Sequence, residues 1–234
     1  RRDFLARHAS LTLCLFRFEV ELLRAVGAPA HWVGHPLGAV ELPDRPVENR
    51  SLVLAVLPGS RSSEVTRHLR PFVQAALAAL GSRPARIVVP WRLPSEPPPL
   101  QGVDFDRRSG LEVLAGSDVA LVAAGTATLE AGVLGVPTQV AVQLNPLSAA
   151  VGRRLVRTPH VALPNLLLGR KVMAECVQDL GTLSSDLATL IEGLPEASER
   201  ARQDALALQA ALGGPGFASR VADFVLRLPE APRE

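Results

Sequence analysis

The sequence contains no tyrosine, one methionine and two cysteines in 234 residues. Cys14 and Cys176 stand far apart in apolar surroundings, and no cysteine or histidine pair has metal-ligand spacing. Both thiols are therefore expected to be buried and free in a reducing compartment, and no metal site is indicated. Lysine is almost absent, with Lys171 alone against many arginines, and the net charge is only +2. That balance excludes a general nucleic-acid binder. No apolar run reaches membrane-spanning length without interruption, and no signal peptide is visible. GxxxxGK[ST] and GxGxxG are both missing, which counts against an ATP-type phosphate loop and against a dinucleotide fingerprint. The chain opens on Arg1 rather than methionine, and the expectation is a fragment of a longer protein.

What is present is an ordinary globular composition, 47% apolar and 21% charged. Short continuous apolar runs recur at residues 52–57, 85–89, 119–123 and 138–142, with further short candidates at 9–16, 30–33, 103–105 and 160–163. Helical spacing falls between them, at 18–26, 64–80, 109–115, from 126 to about 135, and at 147–156. The remainder reads as helix: 171–177, 185–192, 196–212 and 217–228, with 213–216 (GGPG) as a stop. Ser63 is a plausible N-cap, and residues 91–100 with three consecutive prolines form an extended loop. Strands that are apolar throughout and alternate with helices predict an α/β fold, a Rossmann-like parallel sheet with helices on both faces. The Pro-rich polar run at 41–50 marks a junction. The expected division is 1–36, 37–212 as the main domain, and 213–234 as a C-terminal helix.

Ligands of such a sheet sit at the carboxyl ends of its strands. Two strand-to-helix turns there are rich in donors. Pro58-Gly59-Ser60-Arg61 offers hydroxyls and a guanidinium fork, and Ala124-Gly125-Thr126 offers backbone N–H groups at a helix start. Together they can hold a pyrophosphate. Glu130 is an isolated acid in an otherwise apolar helix and needs a partner, which ribose hydroxyls would supply. Asn165, in VALPNLLLG, faces the same edge if the topology holds, although an Asn beside a Pro also forms turns. His35 reads as a hinge or packing residue, and His68 lies within a helix.

These motifs carry a family likeness. VGHPL (33–37), LPGSRSSEV (57–65), SDVALVAAGTATLEAGVLGVP (117–137) and RRLVRTPHVALPNLLLGRKVMAE (153–175) resemble the lipid-A-disaccharide synthases. So does the Phe18-Glu19 pair. The resemblance implies the C-terminal half of an inverting GT-B glycosyltransferase. That enzyme moves a diacylated glucosamine from UDP to a diacylated glucosamine 1-phosphate, giving the lipid A disaccharide and UDP. It implies a UDP-sugar site at Ser60, Arg61, Gly125, Thr126, Glu130 and Asn165, with no metal and no other cofactor. It also implies cytoplasmic action at the inner-membrane surface, with a lipid acceptor and no nucleic acid. Residues 1–36 match the tail of the family's N-terminal, acceptor-side domain. The rest of that domain, with the acceptor site and the carboxylate acting on the attacking hydroxyl, is expected in cis or trans, so no catalytic residue is assigned here. The segment after Val89 departs from the family, being short and Pro-rich where a helix is usual. Three alternatives stay open: a peptidoglycan N-acetylglucosaminyltransferase-like enzyme, a UDP-GlcNAc 2-epimerase-like enzyme, and a non-catalytic nucleotide-binding remnant.

Overall fold

The computed structural model describes residues 2–44, 51–143 and 160–227. The chain forms two compact units, a first joining residues 1–40 to 207–234 and a larger second of residues 41–206. The expected separate C-terminal helix is therefore part of the first unit, together with the N-terminal residues.

That first unit begins with α1 (Arg2–His8), β1 (Thr12–Cys14), α2 (Arg17–Arg24) and β2 (Ala30–Trp32), followed by a 3-10 turn at Pro36–Ala39. β1 and β2 pair in parallel, Thr12 beside Ala30. The strand expected over 9–16 is only three residues long, Thr12–Cys14, set between α1 and α2. His35 caps the 3-10 turn, its Nδ1 accepting the Leu37 N–H at 3.1 Å, and its ring stacks on Phe16. Burial lowers the His35 pKa, with Glu19 pulling weakly the other way.

The larger unit holds β3 (Leu52–Leu57), α3 (Ser62–Leu80), β4 (Ala85–Pro90), β5 (Val103–Asp106), α4 (Gly110–Ala115), β6 (Val119–Ala123), α5 (Thr126–Val133), β7 (Thr138–Val142), α6 (Leu163–Leu168), β8 (Ala174–Val177) and α7 (Leu183–Glu192). Then α8 (Leu194–Ala211) leads into the first unit, which α9 (Phe217–Leu226) closes. There the Arg220 Nε donates to the Val33 carbonyl at 2.7 Å, and the His35 N–H donates to the Leu212 carbonyl at 2.9 Å.

Six parallel strands run in the order β5-β4-β3-β6-β7-β8. β6 and β7 are buried at every position, which is why their sequences read as unbroken apolar runs. α3 presents Val65, Leu69, Phe72, Val73, Ala76 and Leu80 at helical spacing to the core. Leu183, Leu187 and Ile191 of α7 belong to the same apolar cluster. Residues 91–100 form neither helix nor strand, as their prolines require.

Two expectations were reversed. Residues 160–163 are not a strand; helix starts at Leu163, where Pro164 sits in the first turn and loses nothing by lacking an N–H. Residues 171–177 are not a helix; they end in β8, which pairs with β7 from Gln139 beside Ala174. The N-cap of α3 is Arg61 rather than Ser63. The helix expected at 147–156 lies outside the described residues.

Candidate functional site

The strand order reverses between β3 and β6. From β3 the chain steps outward to β4 and β5, then returns to lay β6 on the other side of β3 and continues to β7 and β8. Such a switch point leaves a crevice at the carboxyl ends of the two central strands. Leu57 pairs with Val122, so the turns that follow open side by side. Ser60 and Gly125 stand equally far along from those paired residues.

In the first turn Gly59 has φ +123°, and a Cβ there would lie 2.5 Å from the Glu64 Cβ. Only glycine fits. Glu64 bends back over the helix start: its Oε2 accepts the Ser60 N–H at 3.1 Å, and its Oε1 accepts from Arg61 Nη1 at 2.7 Å. Burial raises the Glu64 pKa, but the bonds from Arg61 and the Ser60 and Arg61 N–H groups outweigh it and hold the carboxyl below its ordinary value. Ser60 and Arg61 are exposed at this edge, with the Arg61 side chain 79% accessible.

In the second turn Gly125 is the N-cap of α5, and open space lies where its Cβ would be. The Gly125 carbonyl accepts from the Thr128 N–H at 3.1 Å and from the Thr128 hydroxyl at 2.7 Å. The N–H groups of Thr126 and Ala127 meet no acceptor among the described residues. Thr126 is exposed. A positive helix end with two free donors and room in front of it suits a phosphate.

Glu130 lies one turn further into α5 and is half-buried. Its Oε2 is 3.4 Å from where a Cβ on Gly110 would stand, so the carboxylate faces the start of α4. Burial alone raises its pKa, and no described donor or cation satisfies it. This is the isolated acid that the sequence pointed to, and it has no partner among the described residues.

Asn165 is placed differently. It is wholly buried, and all its bonding capacity is spent inside the protein. Its Oδ1 accepts from the Val172 and Met173 N–H groups at 2.7 and 2.9 Å, and its Nδ2 donates to the Met173 carbonyl and to Glu175 Oε1 at 2.9 and 2.8 Å. It fastens the segment before β8 to α6 rather than presenting an amide to the crevice.

Three further residues shape the site and were missed in the sequence. A Cβ on Gly110 would press on Leu57 at 3.1 Å and touch Glu130 Oε2 at 3.4 Å. His68, 2% exposed, donates from Nδ1 to the Pro58 carbonyl at 2.9 Å and accepts the Gln143 N–H on Nε2 at 3.2 Å. It ties the turn after β3 to the end of β7. Glu175 is a lone acid in VMAECV, the same signal that singled out Glu130, but it fell within an expected helix. Among the described residues no group of three His, Cys, Asp or Glu side chains could hold a metal, and no helix could cross a membrane. A separate cavity of ≈ 670 Å³ opens at the amino ends of the strands, lined by Leu52, Asp118, Gly135 and Arg202 among others, and shares no residue with these turns.

Comparison with known proteins matches residues 1–214 to a family described as Lipid-A-disaccharide synthetase. A lipid-A-disaccharide synthase of Azotobacter vinelandii is 40% identical over 207 residues, covering 78% of this chain and 54% of that protein. One from Anaeromyxobacter dehalogenans is 36% identical over 97% of this chain and 64% of its own length. The chain thus spans between half and two thirds of these relatives. Among solved structures, the calicheamicin glycosyltransferase CalG4 superposes with a TM-score of 0.54 at 21% identity, covering 93% of this chain and 53% of that one. A UDP-N-acetylglucosamine 2-epimerase of Listeria monocytogenes, so titled as putative, gives 0.54 at 16% identity over 94% and 59%. These likenesses carry the fold, that of one half of a GT-B glycosyltransferase.

Proposed function

Since the chain belongs to the lipid-A-disaccharide synthetase family, we propose that it is the donor-binding part of a glycosyltransferase of lipid A synthesis. Its substrate is a UDP-activated diacylglucosamine, its acceptor a diacylglucosamine 1-phosphate, and its products the lipid A disaccharide and UDP. The observation that carries this reading is the pair of turns at the β3–β6 switch point. One bears free N–H groups at a helix start, and an unsatisfied carboxylate lies a turn behind it.

In this reading the pyrophosphate lies between Arg61 with Ser60 on one side and the Gly125–Thr126 turn on the other. Glu130 accepts hydrogen bonds from the ribose hydroxyls, which meets the need of a half-buried carboxylate. As the sugar departs, negative charge grows on UDP, and the same donors stabilise it without reorganising. No metal takes part in this reading, and a chelator is expected to leave UDP affinity unchanged. Asn165 contributes by holding α6 in place. The acceptor site and the base are supplied by a part of the protein outside this chain, a view supported by its covering only half to two thirds of its relatives. The reaction takes place on the cytoplasmic face of the inner membrane, where both substrates carry acyl chains.

Calorimetric titration of this chain with UDP tests the proposal. Saturable binding that CMP and inorganic phosphate do not reproduce is expected. Absence of binding at millimolar UDP overturns it.

A further inference from the structure

We propose that Glu175 is a positioning residue of the nucleotide site, acting through α6 and Thr128 on the peptide between Gly125 and Thr126. The inference rests on the UDP reading above. Glu175 touches neither turn, and its side chain is only 11% exposed.

Its Oε1 collects three donors: the Val161 N–H at 3.1 Å, the Ala162 N–H at 2.8 Å and Asn165 Nδ2 at 2.8 Å. A buried carboxylate is costly unless so satisfied. Two of those donors lie immediately before α6, whose N-cap, Ala162, has no side chain to cap with. The acid holds the two N–H groups that lead into the helix and so fixes where α6 begins. Asn165, held by the same oxygen, locks the first turn of α6 to the strand that carries Glu175.

From α6 the connection continues without a gap. The next backbone donor, the Leu163 N–H, reaches Thr128 Oγ1 at 3.3 Å. That hydroxyl, occupied as an acceptor, has its single proton directed to the Gly125 carbonyl at 2.7 Å. The Gly125 carbonyl and the Thr126 N–H belong to one planar trans peptide and point in opposite directions. Drawing the carbonyl inward onto Thr128 aims the Thr126 N–H outward, into the open space before Gly125. Glu175 thus governs the orientation of a phosphate donor that it never approaches.

The experiment is UDP calorimetry on the whole chain for wild type, Glu175→Leu, Thr128→Val, Thr128→Ser and the Glu175→Leu/Thr128→Val double variant, with a melting temperature for each. Leucine removes the acceptor oxygen, and loss of one link in the relay is expected to weaken UDP about 3- to 10-fold. The double variant binds no more weakly than the worse single one, because both cut the same relay. Thr128→Ser, which keeps the hydroxyl, retains wild-type affinity. Combining Glu175→Leu with Arg61→Ala multiplies the two losses, since Arg61 lies on the other turn. A merely structural role lowers melting temperatures and leaves this pattern of coupling absent. Unchanged UDP affinity in Glu175→Leu, or losses that multiply between Glu175 and Thr128, overturns the proposal. If Glu175→Leu does not fold, equal affinities in Thr128→Val and Thr128→Ser overturn it. A wild-type chain that leaves UDP unbound overturns the nucleotide reading, and this inference with it; wild-type binding beside unaffected variants overturns the relay alone.

Discussion

Glu64 Oε1 lies 2.7 Å from Arg61 Nη1, so the guanidinium in the turn after β3 is already paired with a carboxylate of its own helix. On the proposed UDP reading, the nucleotide and Glu64 compete for that guanidinium. The pair is exposed, so it is worth no more than about 1 kcal/mol to the fold. Glu64→Gln keeps an oxygen for the Ser60 N–H while releasing Arg61 and removing a negative charge. UDP affinity is expected to rise by about 0.3–1 kcal/mol, with little change in melting temperature. Arg61→Ala is expected to cost UDP binding about 1–3 kcal/mol. Titrating both variants checks this, and a weaker Glu64→Gln complex would place Arg61 outside the phosphate site.

Glu130 sets ligand affinity against stability. Burial raises its pKa, so the folded chain holds the proton more tightly than the unfolded chain does. Its contribution to stability is then fully present below the ordinary value of 4.5 and is lost as pH rises through the raised folded value. At neutral pH the ionised group is carried at a cost. Glu130→Gln is expected to melt higher than wild type at pH 7, with the difference closing below pH 4.5. The same variant is expected to lose about 1–3 kcal/mol of UDP affinity. Melting curves across pH, paired with calorimetry at pH 7, separate the two effects.

The sheet and both turns were legible in the sequence because their signals are local. The apolar run at 52–57 matches the strand end for end, as do those at 119–123 and 138–142, since a strand buried on both faces needs no alternation. Glu130 was legible as an acid without neighbours. What escaped was decided by contacts distant in sequence. Residues 160–163 have strand-like composition, yet Glu175, far along the chain, takes the Val161 and Ala162 N–H groups and lets helix begin at Leu163. Asn165 was picked for a donor role at the sheet edge, and the fold engages its amide inside the protein. Its four bonds run to residues 172–175, which no spacing rule reveals. His68 looked like one polar residue on a helix, and only the fold shows Pro58 and Gln143 on either side of its ring.

His68 supports two turns at once. The Pro58 carbonyl can only accept, so Nδ1 carries a proton, and Nε2 lies 3.2 Å from the Gln143 N and 3.3 Å from its carbonyl oxygen. His68→Phe keeps a ring stacked against Phe72 but leaves both backbone groups without partners. Each unmet buried group costs about 1–3 kcal/mol. Denaturant titration is expected to show a loss of about 2–5 kcal/mol. UDP affinity should fall as well, because the Pro58–Arg61 turn loses its anchor. A variant as stable as wild type would show that solvent already reaches those groups.

Gly59 lies in the first turn and Gly125 in the second, and alanine should act differently at each. At Gly59 a Cβ meets the Glu64 Cβ at 2.5 Å, in a left-handed backbone with φ +123°. Glu64 cannot retreat without releasing the Ser60 N–H and Arg61. Strain and displacement add, and Gly59→Ala is expected to cost about 2–4 kcal/mol of stability. At Gly125 nothing stands within 4 Å of the added atom, so Gly125→Ala carries backbone strain alone, about 1–2 kcal/mol. In the proposed site a phosphate comes close to the Thr126 N–H through that open space. The new methyl holds the anion away from its donor, so UDP affinity is expected to drop more than tenfold while most of the stability survives. Parallel melting and UDP titration of the two variants decide the matter. If Gly125→Ala binds UDP as wild type does, the phosphate does not approach the second turn, and Arg61 with Ser60 must hold it from the first.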